Sequence, residues 1–250
     1  MKSFFDADHP LLTAMAQAYT PENAVRLGKL ALADGADALG FQVCRLRPEY
    51  LNKATVQRIF STFPDVPIYA TNYRVGSNEG KSDDELAEGI VQLAECGASL
   101  CDVMGDLFDR DPTDELTMNP AAIARQQALI ARIHDRGAKV LMSSHTYHFR
   151  PAERVLEIAR AQQERGADYV KIVTGADTMA EQIENLRITA LLRETLRVPF
   201  LFLSCGECRL HRVIGIKLGC GMALCVHEHD ELATPVQPLV TDLRAIADHL

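Results

Sequence analysis

Two residues of the 250-residue chain combine type and spacing in a way that suits carbonyl chemistry. Lys171 stands inside Asp168-Tyr169-Val170-Lys171-Ile172-Val173, and His145 ends Val140-Leu141-Met142-Ser143-Ser144-His145, 26 positions earlier. Both runs read as buried strands. Alternation gives Tyr169, Lys171 and Val173 one face of their strand and Val170 and Ile172 the other. If Val170 and Ile172 pack on helices, Lys171 points inward; an ordinary strand lysine would sit at a strand end and snorkel to water. Desolvation disfavours an ammonium and lowers its pKa, the condition an amine needs to attack a ketone. The imine so formed is an electron sink that acidifies the neighbouring carbon. A histidine, titrating near neutrality, is a suitable base for that proton. His145 shares a face with Leu141 and Ser143 and is the candidate, with a hydrogen-bonded strand-end histidine as the plainer reading; His148, in the loop beyond, is its rival.

These side chains need a scaffold, and the chain punctuates one. Gly35-Ala36-Asp37, Gly97-Ala98-Ser99, Gly137-Ala138-Lys139 and Gly166-Ala167-Asp168 each place a helix-ending glycine just before an apolar run. Reading outward predicts strands over 11–16, 37–43, 67–72, 99–104, 139–145, 169–174, 199–205 and 221–226. Helical patterns fill 22–34, 53–63, 82–96, 120–136, 152–165, 178–194, 209–218 and 236–248. Thr20-Pro21 and Asn119-Pro120 are helix starts, and Ser82 to Glu85 has the spacing of a capping box. Eight βα units with no linker between them predict one α/β domain over 1–250, an eight-stranded parallel (β/α)8 TIM barrel. An open doubly wound sheet would want a Gly-x-Gly-x-x-Gly turn after its first strand, which is missing.

In such a barrel the polar residues at the C-terminal strand ends form the site. They are Arg74, Asp102, Ser143, His145, Lys171, Ser204, Arg212 and Gln237. The arginines suit a carboxylate held by paired hydrogen bonds, and Gln237 suits hydroxyls. A small-molecule carboxylate is therefore the expected partner. The formal net charge of −8 and the lack of a basic run argue against nucleic acid. No stretch of 18 apolar residues and no apolar leader in MKSFFDADHP argue against a membrane and for the cytoplasm. Seven scattered cysteines read as reduced thiols. A homodimer is the default expectation for an oligomer.

The chain resembles type I 3-dehydroquinate dehydratase along nearly its whole length. "VLMSSHTYHF" is similar to that family's Ser-x-His-x-Phe strand, and "GADYVKIV" to its lysine strand. "TNYRVGSNEG" is similar to its Thr-Phe-Arg-x-x-x-Glu-Gly loop, "SCGECRLHR" to a shortened Ser-Met-Gly segment leading to Ser-Arg, and "ATPVQ" to Ser-Ala-Pro-Gly-Gln. The resemblance implies dehydration of 3-dehydroquinate to 3-dehydroshikimate, a shikimate-pathway step of aromatic amino acid biosynthesis, with neither metal nor organic cofactor. It implies that Lys171 forms the imine and His145 is the general acid and base. It also implies substrate contacts for Arg74, Glu79, Arg212 and Gln237, with Ser204 at the end of strand seven.

Strand two departs from the family. Its Glu-x-Arg-x-Asp becomes Gly40, Gln42 and Cys44, so Gln42 is the candidate hydroxyl contact there, with Arg45 reaching in if the register differs. In strand four Asp-x-Glu becomes Asp102-Val103-Met104, Cys205 stands at a methionine position, and Thr146 replaces an Asp beside the histidine. Each lost charged hydrogen bond is worth about 1.5 to 3 kcal/mol, enough to alter preference toward a related hydroxylated cyclic keto acid. Three other readings stay open: a class I imine aldolase, a metal-dependent hydrolase using Cys205, Cys208 and His211 or His227 and His229, and a non-catalytic ligand-binding barrel.

Overall fold

The computed structural model describes residues 3–249; Met1 and Lys2, which begin the N-terminal stretch read above, and Leu250 lie outside the described residues. Strands and helices alternate as β1 (Leu11–Ala16), α1 (Pro21–Ala33), β2 (Ala38–Gln42), α2 (Lys53–Ser61), β3 (Ile68–Thr71), α3 (Asp83–Glu95), β4 (Leu100–Met104) and α4 (Pro120–His134). The second half continues with β5 (Lys139–His145), α5 (Ala152–Glu164), β6 (Tyr169–Gly175), α6 (Met179–Thr195), β7 (Phe200–Cys205), α7 (Leu210–Leu218), β8 (Met222–Cys225) and α8 (Val240–His249). All ladders are parallel, in the order β7-β6-β5-β4-β3-β2-β1-β8. The Gly221 amide donates to the Phe200 carbonyl across the remaining seam (2.9 Å), so the sheet is a nearly closed (β/α)8 TIM barrel. A Cβ on Gly221 would come within 2.4 Å of the Tyr169 hydroxyl, which explains a glycine at that seam.

The four glycine junctions are built as their spacing predicts, with φ of +99°, +106°, +80° and +99° at Gly35, Gly97, Gly137 and Gly166. The residue two places on can also tie down the preceding strand. Asp37 accepts from the Leu12 amide, Ser99 from that of Ile68 and Asp168 from that of Val140, all at 2.9 Å. The Ser82–Glu85 capping box is present, and Thr178–Glu181 forms another.

Alternation sorts the side chains into layers. Val170, Ile172, Phe200 and Phe202 pack outward on Val155, Ile158, Ile188 and Leu192, while Tyr169, Val173, Leu201, Leu203 and Leu224 fill the barrel interior. Burying an outward Val or Ile is worth about 1.5–3 kcal/mol, so the strand-six parity is strongly set. Helix α8 begins four residues later than the 236–248 pattern predicts. Val226 pairs there with Pro238 and Val240 through main-chain hydrogen bonds, extending β8 and holding residues 238–239 out of a helix. Among the described residues no helix is long and apolar enough to cross a membrane.

Candidate active site

A cavity of about 700 Å³ opens at the C-terminal ends of the strands, and Lys171, His145, Arg74, Arg212, Gln42 and Gln237 all line it. Lys171, 3% exposed, lies on its floor. Its Nζ stands 2.8 Å from the Tyr73 hydroxyl, 3.0 Å from that of Tyr69 and 3.3 Å from Asp102 Oδ2. The buried ammonium therefore has a carboxylate counter-charge, which desolvation arguments for a lone lysine do not include. Asp102 in turn accepts from Ser143 (2.6 Å), Tyr73 (2.6 Å) and Tyr69. Burial pushes its carboxyl up, but Lys171, then His145, and the hydrogen bonds from Ser143 and Tyr69 leave it below the ordinary carboxylate value. Register pairs Ser143 with Lys171, so the serine that fixes Asp102 is the lysine's neighbour across the β5–β6 ladder.

His145 sits one pleat higher on the same inward face of β5. Its Nδ1 donates to the Glu115 carboxylate, both oxygens lying at 3.1 Å, which leaves Nε2 as its free ring nitrogen. Glu115 belongs to the long connection after β4 and adopts φ +50°. That connection is tethered on several sides. The Ser144 hydroxyl donates to the Glu115 carbonyl (3.0 Å), buried Arg165 reaches the carbonyls of Gly105 and Thr117, and Arg150 and Arg154 clasp Asp114. Tyr147 stacks on the imidazole at 5.8 Å, and Tyr73 meets it edge-on at 5.4 Å.

The two arginines differ. Arg74 is already bound by Asp83 through Nε and Nη2 (2.9 Å each) and by Asp106 through Nη1 (2.6 Å). Burial lowers its pKa, yet these two carboxylates raise it overall, so its fork is largely occupied. Arg212, 7% exposed, donates Nε to the Ser204 carbonyl and has no acidic partner among the described residues. Burial pushes its guanidinium down to about 10, the state of a cation short of an anion.

Strand two supplies a neutral wall. A Cβ on Gly40 would meet Met15 Sδ at 2.2 Å, so the methionine occupies the space a side chain would need. Gln17 donates to Gln42 (2.9 Å), leaving Gln17 Oε1 buried without a partner. Arg45 Nε, Thr71 Oγ1 and Gln237 Oε1 are likewise buried, unpartnered and on cavity-lining residues. Arg45 reaches the cavity because the chain turns through a 3₁₀ step at Val43–Arg45.

Two expected contacts lie elsewhere and are corrected. Ser204 follows Phe200 and Phe202 on the outward face of β7, where its hydroxyl bonds Asn185 (2.9 Å). Glu79 is exposed and outside the cavity: four residues, including the 3₁₀ turn Gly76–Asn78, separate it from Arg74, one more than the three of the Arg-x-x-x-Glu spacing. The metal reading lacks geometry: His211 Nε2 donates to Thr189 (2.6 Å), His227 bonds Asp34 and His229 bonds a carbonyl. Among the described residues no group of three His, Cys, Asp or Glu is arranged to hold a metal. Tyr69, Tyr73 and Glu115 were not foreseen. Tyr69 shares the inward parity of Thr71 and was findable by alternation; Tyr73 and Glu115 sit in loops without a period.

Comparison with known proteins bears on the family and the fold. The model of the type I 3-dehydroquinase family matches residues 22–250. A 3-dehydroquinate dehydratase of Klebsiella pneumoniae is 29% identical over 130 residues, 51% of each chain, and one of Alkaliphilus oremlandii is 31% identical over 83 residues, 32% of each. The aligned stretch thus spans about half the length of the Klebsiella relative, or less for the Alkaliphilus one. Among solved structures, a 3-dehydroquinate dehydratase from Geobacillus kaustophilus superposes with a TM-score of 0.82 at 17% identity, covering 98% of this chain and 92% of that one. A type I 3-dehydroquinate dehydratase from Clostridium difficile, with covalent modified comenic acid, gives 0.80 at 18% identity over 97% and 93%. Those identities speak for the fold, and the family model decides kinship: the chain belongs to the type I 3-dehydroquinase family.

Proposed function

We propose that the chain is a Schiff-base lyase that dehydrates 3-dehydroquinate, or a related hydroxylated cyclic keto acid. The observation that carries this reading is the Lys171 amine on the cavity floor, one strand from a histidine whose Nδ1 is held by a carboxylate. Nζ attacks the ketone carbon and, with loss of water, forms an iminium ion. Nε2 of His145 removes a proton from the adjacent carbon, and the electron pair moves into the iminium as an enamine. The pair returns as the β-hydroxyl leaves, taking the proton from His145 and departing as water. Hydrolysis of the conjugated iminium frees Lys171 and the enone. Glu115 stabilises the imidazolium that exists between the two proton transfers.

Arg212 is the carboxylate anchor in this reading, supported by its lack of an acidic partner. Gln237, Gln42 with Gln17, and Arg45 are the hydroxyl contacts, supported by their unpartnered buried atoms. Replacement of a charged wall by amides points to altered hydroxyl recognition. A cytoplasmic enzyme acting through one barrel domain belongs to the same proposal, in keeping with seven unbridged cysteines. The test is turnover of 3-dehydroquinate to 3-dehydroshikimate, abolished by Lys171→Met. Carbon–carbon cleavage products would instead assign an aldolase, and turnover surviving Lys171→Met would overturn the imine mechanism.

A further inference from the structure

The closest hydrogen-bond contact of Lys171 Nζ is the hydroxyl of Tyr73, at 2.8 Å, and that hydroxyl is 2.6 Å from Asp102 Oδ2. It bridges the amine and its counter-ion directly. Tyr73 follows β3 in the loop that resembles Thr-Phe-Arg, where the family has a phenylalanine, so the hydroxyl distinguishes this chain. Both tyrosines line the cavity, but the Tyr73 side chain is half-buried, whereas Tyr69, which touches the same atoms, has no exposed surface. Burial, then the Asp102 charge, hold the Tyr73 hydroxyl well above its usual pKa, so it remains a proton donor.

We propose that Tyr73 is a further catalytic residue, the proton carrier of imine formation, whose hydroxyl relays protons among Lys171, Asp102 and the oxygen of the reacting carbonyl. The inference rests on the imine reading of Lys171. The Lys171 ammonium first gives one proton to Asp102, leaving a neutral amine and a neutral carboxyl. Nζ then bonds to the carbonyl carbon while the π pair moves to oxygen. Tyr73 gives its proton to that oxygen and takes one from Nζ, so a neutral carbinolamine results. In the second half Tyr73 protonates the carbinolamine hydroxyl and is reprotonated by Asp102. Water leaves, the nitrogen lone pair forms the C=N bond, and the iminium charge faces the regenerated Asp102 carboxylate. No external acid is consumed.

The test uses Tyr73→Phe and Tyr69→Phe, two variants that each remove one hydroxyl. Reductive methylation by formaldehyde and cyanoborohydride, at reductant high enough that imine formation limits, is read at Lys171 by peptide mass spectrometry. Exposed Lys139 in the same digest is the internal reference. Lys171 labelling relative to Lys139 should fall at least about tenfold in Y73F and distinctly less in Y69F. Added small buffer acids should speed labelling in Y73F and leave the parent protein unaffected, a response a structural role would not produce. Unchanged labelling in Y73F, or an equal fall in Y69F, overturns the assignment. The same comparison with 3-dehydroquinate and borohydride is separate: if that ketone gives no adduct while formaldehyde labelling responds, the substrate reading fails and Tyr73 stands.

Discussion

Asp102→Asn removes the counter-charge of a lysine that is 3% exposed, and its cost can be bounded in two ways. Breaking a buried ion pair by deleting one partner costs about 3–5 kcal/mol. The alternative open to the variant is to neutralise the lysine, which for an ordinary amine costs about 1.36 kcal/mol per pH unit below about 10.4, or about 4.6 kcal/mol at pH 7. The two routes agree, so D102N should lose about 3–5 kcal/mol of unfolding free energy at pH 7. They diverge with pH, since at pH 9 neutralisation costs only about 1.9 kcal/mol and caps the loss there. Urea unfolding at the two pH values measures both, and K171M/D102N, which removes both charges, should recover most of the deficit. A loss below about 1 kcal/mol at pH 7, or one that does not shrink by pH 9, would refute the buried-pair account.

Arg212→Ala should weaken binding of a carboxylate substrate by about 10- to 150-fold, the worth of one charged hydrogen bond of about 1.5–3 kcal/mol. Calorimetric titration checks this, and the methyl ester of the substrate should bind parent and variant alike. Glu115→Gln keeps an acceptor for His145 Nδ1 but removes the charge, so kcat should fall about tenfold or more with KM little changed. Steady-state kinetics in which kcat is preserved would remove Glu115 from the mechanism. His211 is buried neutral, with its pKa pushed down to about 3 chiefly by burial. Below about 6.5 the unfolded chain binds a proton the folded chain refuses, so stability should fall by about 1.4 kcal/mol per pH unit there and be flat above. Subtracting the same titration for His211→Phe isolates that slope; identical slopes would show that His211 is not buried in this form.

The barrel was legible because its signals are local. A glycine that must adopt positive φ ends each of four helices, and an apolar run follows within three residues, so junctions at Gly35, Gly97, Gly137 and Gly166 need no tertiary information. Strand-six parity was legible for the same reason, since Val170 and Ile172 alternate with Lys171. Ser204 was misplaced although parity with Phe200 and Phe202 turns it outward, a signal available in the residues. Glu79 was misplaced by one inserted position in the Arg74 loop. Asp102 beside Lys171 and Glu115 beside His145 were not legible as pairs. One depends on barrel curvature bringing β4 and β6 together across β5, the other on a loop tethered by Arg150, Arg154 and Arg165, which lie just before, within and just after α5. Met15 over Gly40 is also a long-range event, in which a β1 side chain occupies space left by β2.

Borohydride reduction in the presence of 3-dehydroquinate, followed by peptide mass spectrometry, tests the central claim most directly. The account predicts one adduct, on Lys171, lost in Lys171→Met and accompanied by 3-dehydroshikimate in the unreduced reaction. Dehydration without any lysine adduct, or an adduct on a different lysine, would contradict it.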